Sequence, residues 1–227
     1  MSLFKQRFLL AFLLVLSTSV LAQKTESISL KTENLQRYGV SVLPVIYKNK
    51  IAVEVTQAKD TDFVYTFAKI KDIDFHNGII EGYIAGEPKN GAVEGARGFV
   101  GISFRVSADT SKFEAFYIRP TNGRANDQVR RNHALQYISH PGFPWQRLRK
   151  ETPEKYESYA DLISAEWTKI RIEVKDQTAK LYVNGSIQPN LIVNDLKQGN
   201  NLRGSIGLWI AIGTKAHFAE LNVTKED

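Results

Sequence analysis

The sequence contains no cysteine among its 227 residues. Disulfide bonds, thiol nucleophiles and cysteine-ligated metals are therefore excluded, and apolar burial must hold the fold together. The phosphate-binding loop GxxxxGK[ST], the nucleophile elbow GxSxG and the zinc motif HExxH are also absent. The histidines are scattered, and the spacing of His133 and His140 would place them on opposite faces of a regular strand. The sequence therefore assigns no residue to a metal.

Long apolar runs are equally scarce, and the one that stands out lies at the N-terminus. Residues 8–16 are apolar but too few to span a bilayer. Lys5 and Arg7 precede them, and small residues end the segment at Ala22, a pattern typical of a signal peptide. We predict a signal peptide over residues 1–22, no membrane anchor, and export to the periplasm or the extracellular space.

Positively charged residues are only in modest excess over negatively charged ones. The formal net charge is +6, of which Lys5 and Arg7 of the predicted signal peptide supply two. The densest basic patches are residues 119–131 and 147–150. An excess this small in an exported chain argues against a nucleic-acid partner and fits local attraction of acidic or phosphorylated glycans better.

Alternation of apolar and polar residues is the dominant pattern in the chain. Val100, Ile102, Phe104 and Val106 share one face of a predicted strand, and residues 167–174 alternate in the same way. Asn-Gly pairs mark several turns, and no long amphipathic helix is evident. We predict an all-β fold, a two-sheet antiparallel β-sandwich of the jelly-roll type, formed by a single domain over residues 23–227.

Aromatic, guanidinium and amide side chains are concentrated in residues 113–149. We predict a strand at the start, a polar loop over 122–133, a second strand over 134–139 and an aromatic loop to residue 149. Rings that stack, next to Arg and amide groups, suit a saccharide or an anionic group. The alternative is a solvated loop between two strands. Long loops in compact domains are usually functional or disordered, and this one is rich in rings.

The predicted substrate-binding residues combine stacking and hydrogen-bonding side chains. Trp145 is the expected stacking platform, and Arg119 and Asn122 are expected to bind hydroxyl groups at the rim. Alternatively, Arg119 is a structural clamp on Glu157, and Arg147 and Arg149 are solvated. The full set comprises Arg105, Tyr117, Arg119, Asn122, Gln136, Tyr137 and Trp145.

Hydrolysis of a glycosidic bond normally requires two carboxylates. Glu157, flanked by tyrosines, and Asp127 are the candidates for a general acid or base. No cofactor is predicted, although Asn126 with Asp127, or Asp195 with nearby carbonyls, leaves Ca²⁺ open. Neither has calcium-loop spacing, and an ordinary Asx turn is the alternative.

Several motifs together resemble concanavalin A-like and laminin-G-like sandwiches. They are FHNGIIE at 75–81, GFVGISFR at 98–105, the hairpin WTKIRIEVKDQTAKLYVNG at 167–185, and the pair RGSIGLW and HFAELNV near the C-terminus. Over residues 60–224 the chain most resembles the bacterial exported 3-keto-disaccharide hydrolase domain family. The resemblance implies a jelly roll with a concave saccharide-binding face and, for some members, hydrolysis of oxidised disaccharides.

The leading hypothesis is an exported carbohydrate-active or carbohydrate-binding domain that hydrolyses 3-keto-glycosides with a carboxylate acid or base. One alternative is a non-catalytic glycan-recognition or adhesion module of the cell envelope, which needs rings and amides but no carboxylate pair. Another is a structural envelope protein, which needs neither. The sequence names no protein partner and no oligomeric state.

Overall fold

The structure is a computed structural model that describes residues 24–58, 65–92 and 95–226. The predicted signal peptide lies outside these residues and stays a prediction. The predicted fold class is confirmed, because two antiparallel sheets pack face to face as a sandwich. No helix in the described part of the chain is both long and apolar enough to cross a bilayer.

One sheet has eight strands, and β15 is central to it because it pairs with three neighbours. Its strands, in spatial order, are β13 (Leu191–Val193), β12 (Thr178–Val183), β11 (Thr168–Lys175), β6 (Asn77–Pro88), β15 (Thr214–Glu226), β4 (Lys50–Gln57) and β3 (Val40–Tyr47), while β1 (Thr25–Ser27) also pairs with β15.

The second sheet has seven strands, and it carries the candidate site. Its strands, in spatial order, are β10 (Glu157–Ser158), β9 (Leu135–His140), β8 (Phe113–Ile118), β7 (Val100–Val106), β14 (Ser205–Ile210), β5 (Thr66–Ile70) and β2 (Leu35–Tyr38). Strands from both halves of the sequence therefore lie side by side, as in a jelly roll.

The core lies between the two sheets and is built by the predicted alternation. Phe116 and Ile118 of β8, with Ile172 of β11, point inward and are fully or almost fully buried. Their neighbour Tyr117 points to the opposite face of the seven-stranded sheet. The period-two pattern was thus sufficient to separate the two faces of these strands.

Alternation fails at the end of β7, where the strand contains a bulge. Ser205 of β14 pairs with Val106, but Gly207 pairs with Ser103, so β7 has one residue more than its partner between these pairs. Arg105, with φ of 52°, occupies the bulge. The extra residue reverses the direction of the following side chain, because one inserted residue shifts the period-two pattern. Val106 therefore lies on the outer face, contrary to prediction.

The segment after β8 contains helices that the sequence did not predict. A 3-10 turn over Pro120–Asn122 and helix α1 (Gln128–Asn132) interrupt the predicted polar loop, and helix α2 (Trp145–Glu151) replaces the end of the predicted aromatic loop. From the sequence, Tyr156–Leu162 is also predicted to be a strand, with Pro153 fixing its start. That prediction is largely wrong, since only Glu157–Ser158 pair with β9.

Candidate functional site

A pocket of about 380 Å³ opens on the outer face of the seven-stranded sheet. Its wall combines the ends of several strands with the beginning of α2. Most of the lining side chains are aromatic or aliphatic, as is usual for a small-molecule site. The lining residues are Tyr65, Thr66, Phe99, Tyr117, Ile138, Pro144, Trp145, Gln146, Trp209, Ile210, Ala211 and Ile212.

A row of stacked rings forms the base of the pocket. The ring of Tyr117 lies 4.7 Å from that of Trp209 and 5.4 Å from that of Phe99, measured between centroids. Gly101 pairs with both Tyr117 and Trp209 across β7. A Cβ atom at Gly101 would lie 2.1 Å from the carbonyl oxygen of Phe116, so only glycine permits this approach. Gly101 therefore accommodates the close approach of the β8 backbone, which carries Tyr117.

Trp209, one of the lining residues, contains a buried polar atom. Its side chain is 5% exposed, and its indole Nε1 is buried without a hydrogen-bond partner among the described residues. Buried donors are normally satisfied, and an exception next to a pocket is a site for a ligand acceptor or for water. Trp209 lies inside the sheet rather than at an edge, because β14 is flanked by β7 and β5.

Helix α2 brings Trp145 to the pocket rim. Pro144 precedes the helix at its N-cap, and Leu148, on the buried side of the helix, packs into the core between the sheets. Trp145 is partly buried and contacts two guanidinium groups, whose carbon atoms lie 5.7 Å (Arg119) and 4.6 Å (Arg149) from its ring centroid. The residue predicted as a stacking platform thus lines the pocket, on a helix rather than on a loop.

Arg119 lies behind the pocket wall and is 3% exposed. It donates hydrogen bonds to the Tyr117 hydroxyl and to Gln136 Oε1, both at 2.9 Å, and to the carbonyl oxygen of His133 at 2.8 Å. Its guanidinium also lies over the Phe99 and Tyr117 rings, at 5.0 and 5.1 Å. Arg119 therefore supports the aromatic wall and does not reach the rim.

Glu157 is clamped by Arg149, and the alternative in which Arg119 clamps it is wrong. Arg149 donates from Nε and Nη2 to the two carboxylate oxygens, each at 2.7 Å, a bidentate geometry. His133 Nε2 lies 3.2 Å from Oε2 of the same carboxylate. The expectation that Arg149 is merely solvated is also wrong, since its head group is held in this pair.

Asp127, the other predicted catalytic carboxylate, acts as the N-cap of α1. Its Oδ1 accepts a hydrogen bond from the backbone N–H of Arg130 at 2.9 Å, and the side chain is exposed. The arrangement satisfies an N–H group that the first turn leaves without a partner. Neither Asp127 nor Glu157 lines the pocket.

Two predicted binding residues belong to the interior. Arg105 is fully buried and donates to the carbonyl oxygens of His76 and Asp176 and to Asn77 Oδ1, which belong to the eight-stranded sheet and its turns. Tyr137 faces the core, where its hydroxyl donates to Glu114 Oε2 at 2.5 Å. Placing both Gln136 and Tyr137 in one site was wrong, because neighbours on a strand face opposite sides.

The remaining two predicted residues support the site from behind. Gln136 faces the same side as its strand partner Tyr117, but it is fully buried and donates to the carbonyl oxygens of Tyr137 and Tyr156. Asn122 is 5% exposed and donates to the carbonyl oxygen of His133. Its side chain fixes the segment after β8 and does not form a rim.

Among the aromatic lining residues, Tyr65 and Phe99 were not predicted as part of the site. Both lie just before strands of the seven-stranded sheet, far apart in sequence. Tyr65 lies two residues before Phe67, whose side chain faces the same outer surface. Period-two spacing from Phe67 was therefore a usable signal for Tyr65, whereas nothing local marked Phe99.

Of the oxygen groups considered for Ca²⁺, Asp195 has protein donors on one carboxylate oxygen, while its Oδ1 is buried without a hydrogen-bond partner among the described residues. Asp195 Oδ2 accepts from Lys155 and Lys197 at 2.8 and 2.9 Å and from the Tyr156 hydroxyl at 2.6 Å. Burial raises the pKa of Asp195, but these hydrogen bonds outweigh it and lower the pKa to about 2. Over the ranges that the structure describes, no group of three or more His, Asp or Glu side chains could hold a metal ion.

The fold is shared with several solved structures. The carbohydrate-binding module CBM66 from Bacillus subtilis aligns with a TM-score of 0.55 and 11% identity, over 84% of this chain and 96% of that one. A protein of unknown function with a galectin-like fold, also from Bacillus subtilis, aligns with a TM-score of 0.56 and 13% identity, over 85% of this chain and 90% of that one.

A third neighbour comes from Parabacteroides distasonis ATCC 8503, and its description as a glycosyl hydrolase is provisional. It aligns with a TM-score of 0.51 and 13% identity, over 89% of this chain and all of that one. At these identities the likeness shows the fold alone. No protein-family profile matches the chain, and no curated protein matches it significantly.

Proposed function

We propose that this chain is an exported carbohydrate-binding jelly-roll domain whose site is the pocket on the seven-stranded sheet. The observation that carries the proposal is the indole N–H of Trp209, which is buried beside the stacked rings without a partner among the described residues. A sugar ring offers apolar C–H groups that pack on aromatic rings and oxygen atoms that accept hydrogen bonds. The pocket provides groups complementary to both.

The fold also supports the proposed carbohydrate-binding function. CBM66, which shares the sandwich architecture, is by its name a carbohydrate-binding module. Binding by this chain does not require catalysis, and the lining side chains of the described residues include no Asp or Glu. A recognition module without catalysis therefore explains the pocket without requiring carboxylates in its lining.

The test is binding of the mature chain to a panel of glycans that includes 3-keto-disaccharides. A thermal-shift screen identifies ligands, because a ligand of the folded state raises the melting temperature. Trp145→Ala removes the ring at the rim. We expect it to weaken binding about tenfold, the upper range for one aromatic contact.

The matched control is Trp167→Phe. Trp167 also has a buried indole N–H without a partner among the described residues, but it packs on Tyr47 and Tyr83 of the eight-stranded sheet. We expect this variant to bind as the unmodified chain does. Equal losses in both variants, or no loss with Trp145→Ala, would contradict the proposed site.

Hydrolysis of 3-keto-glycosides is the second candidate function. A specific observation favours it: Glu157 is a buried carboxylate with His133 at 3.2 Å, next to the pocket-lining strands. To act as an acid or base, Glu157 would have to exchange part of its hydrogen bonding with Arg149 for the substrate.

Two isosteric variants test this candidate. If Glu157 is catalytic, Glu157→Gln abolishes release of the monosaccharide product while the sugar still binds. Asp127→Asn keeps the N-cap of α1, since Asn caps as well as Asp, and serves as the comparison. Loss of turnover in Asp127→Asn alone would assign the reaction to Asp127, and absence of turnover in the unmodified chain would leave the binding function only.

A further inference from the structure

Arg119 carries a positive charge behind the pocket and is not hydrogen-bonded to any carboxylate of the described residues. The groups that accept its hydrogen bonds are the Tyr117 hydroxyl, the amide oxygen of Gln136 and the carbonyl oxygen of His133, all of them neutral. In the parts of the chain that are described, no acidic side chain hydrogen-bonds to this guanidinium. A buried charge with neutral partners is costly, and a nearby negative charge would offset that cost.

The charged groups next to Arg119 do not cancel its positive charge. Arg149 and Glu157 neutralise each other through two hydrogen bonds of 2.7 Å. Burial lowers the pKa of His133, even though Glu157 acts in the opposite direction, so the imidazole is neutral at pH 7. Arg119, Arg149, Glu157 and His133 together therefore carry one net positive charge behind the wall formed by Tyr117 and Trp145.

Two buried side-chain atoms of the lining residues Trp209 and Tyr117 are donors. Trp209 Nε1 has no hydrogen-bond partner among the described residues. The Tyr117 hydroxyl accepts from Arg119, and burial raises the pKa of Tyr117 to about 12 against the opposing effect of Arg119, so the hydroxyl keeps its proton. Within the described ranges no acceptor takes that proton. Both atoms therefore favour a ligand that presents acceptor oxygens.

We propose that the pocket selects acidic sugars and that the carboxylate of a uronic acid residue accepts hydrogen bonds at the base of the pocket, near Arg119. This inference rests on the proposed binding function. The Tyr117 hydroxyl, which receives a hydrogen bond from Arg119, links the buried charge to the ligand, and the rings of the pocket pack on the sugar. A neutral sugar of the same configuration fills the same space but leaves the positive charge without a counterion.

The experiment compares matched pairs of oligosaccharides by isothermal titration calorimetry at low salt. The acidic members are trisaccharides of galacturonate, glucuronate and mannuronate, and the neutral members are those of galactose, glucose and mannose. For at least one pair we expect the acidic member to bind about tenfold or more tightly, a difference typical of one charge-assisted contact. The preference should decrease as NaCl is added, because salt screens charge interactions.

Two variants locate the preference in the pocket. Tyr117→Phe keeps the ring and removes the hydroxyl, and it should reduce the ratio of acidic to neutral affinity. Arg119→Gln removes the charge and should reduce the same ratio, provided that the variant melts cooperatively. The matched control is Tyr182→Phe, whose hydroxyl donates to Glu173 on the eight-stranded sheet and which should leave the ratio unchanged.

The outcomes separate this inference from the proposed function. If neutral sugars bind as tightly as their acidic counterparts and Trp145→Ala weakens both, the acidic preference is wrong and the binding site stands. If the acidic sugar binds but neither Trp145→Ala nor Tyr117→Phe weakens it, the site itself is wrong. A ratio that stays unchanged in Tyr117→Phe and in Arg119→Gln also overturns the inference.

Discussion

Two buried charged residues, Arg105 and Glu114, hold the turns at one end of the sandwich to its interior. Arg105 donates to groups of the eight-stranded sheet from a strand of the other sheet. Glu114 accepts from the Tyr137 hydroxyl at 2.5 Å and from the backbone N–H of Gln198 at 2.9 Å. Burial raises the pKa of Glu114, while these hydrogen bonds act in the opposite direction. Both side chains are therefore structural parts of the core.

The alternation of apolar and polar residues predicted the direction of some side chains correctly and of others wrongly. Alternation correctly separated Tyr117 from Phe116, because β8 is regular. It misplaced Arg105, because the bulge depends on a positive φ at a residue that is not glycine, and no local pattern announces it. It could not reveal that Arg119 hydrogen-bonds Gln136, since that contact requires the pairing of β8 with β9.

Gly101, in the middle of β7, leads to a prediction about stability. Gly101→Ala places a Cβ atom 2.1 Å from the Phe116 carbonyl oxygen and 2.5 Å from Tyr117 Cβ. We expect the free energy of unfolding, measured in urea, to fall by about 3 kcal/mol because backbone atoms must move. Sugar binding should weaken as well, since the Tyr117 and Trp209 rings lie on either side of this residue.

Gly82→Ala is the matched control in a strand of the other sheet. There the nearest atom to the added Cβ is the flexible Leu221 Cδ1 at 3.1 Å, so we expect a loss under about 1 kcal/mol. Equal losses for the two substitutions would show that the close approach of β8 to Gly101 is unimportant for stability.

Among the elements, an ion pair joins α2 to β10, the edge strand of the seven-stranded sheet. Arg149 lies on α2 and Glu157 on β10, and their pair closes the segment between these two elements. The sequence indicated neither element correctly. Leu148 is the one fully buried residue of α2, too few for a helical period to be visible. Ala160 and Leu162 are buried without strand pairing, which mimics the alternation of a strand.

The ion pair between Arg149 and Glu157 should give strong coupling in a double-mutant cycle. Arg149→Met leaves the buried Glu157 carboxylate with less compensation, and we expect a loss of about 3 kcal/mol. Adding Glu157→Gln removes that uncompensated charge, so the double variant should lose less than the sum of the two single losses. Denaturant unfolding should give a coupling energy of about 1–3 kcal/mol.

The control pair lies on the same helix. Arg147 and Glu151 are joined at 2.8 Å, but both side chains are about half exposed. Exposed pairs of this spacing contribute about 0.3–0.5 kcal/mol, and the same cycle should give no more here. Similar coupling for both pairs would mean that burial of Glu157 does not matter.

At the scale of the whole molecule, the sandwich was predictable and the pocket was not. Period-two alternation recurs along most of the chain, so the fold class follows from many consistent signals. The pocket is lined by Tyr65, Phe99, Tyr117, Trp145 and Trp209, which lie far apart in sequence. Only the pairing order of the seven-stranded sheet brings them together.

The lowered pKa values of three histidines predict how the stability of the whole molecule depends on pH. Burial lowers the pKa of His217, His133 and His140 below the ordinary value of 6.5, so the unfolded chain binds protons first as pH falls. The melting temperature should be nearly constant above pH 7 and decrease between pH 7 and 5. A second decrease should follow between about pH 4 and 2 as Asp195, with its lowered pKa, is protonated.

His217→Phe tests the first part of this pH dependence. The ring of His217 stacks on Tyr47 at 3.6 Å, and Phe retains an aromatic ring there while removing the titrating group. The decrease in melting temperature between pH 7 and 5 should be smaller in this variant. An unchanged or steeper decrease would contradict the assignment of His217 as a neutral buried histidine.

We propose that sugar binds on the outer face of the seven-stranded sheet. The three tryptophans offer a direct test, because each gives one indole N–H signal in a ¹⁵N-labelled sample and Trp167 lies on the other sheet. We would titrate residues 23–227 with the best ligand of the glycan panel. We expect the Trp209 and Trp145 signals to shift together with one dissociation constant while Trp167 stays fixed. A shift of Trp167 alone, or bound sugar with all three signals unmoved, would contradict it.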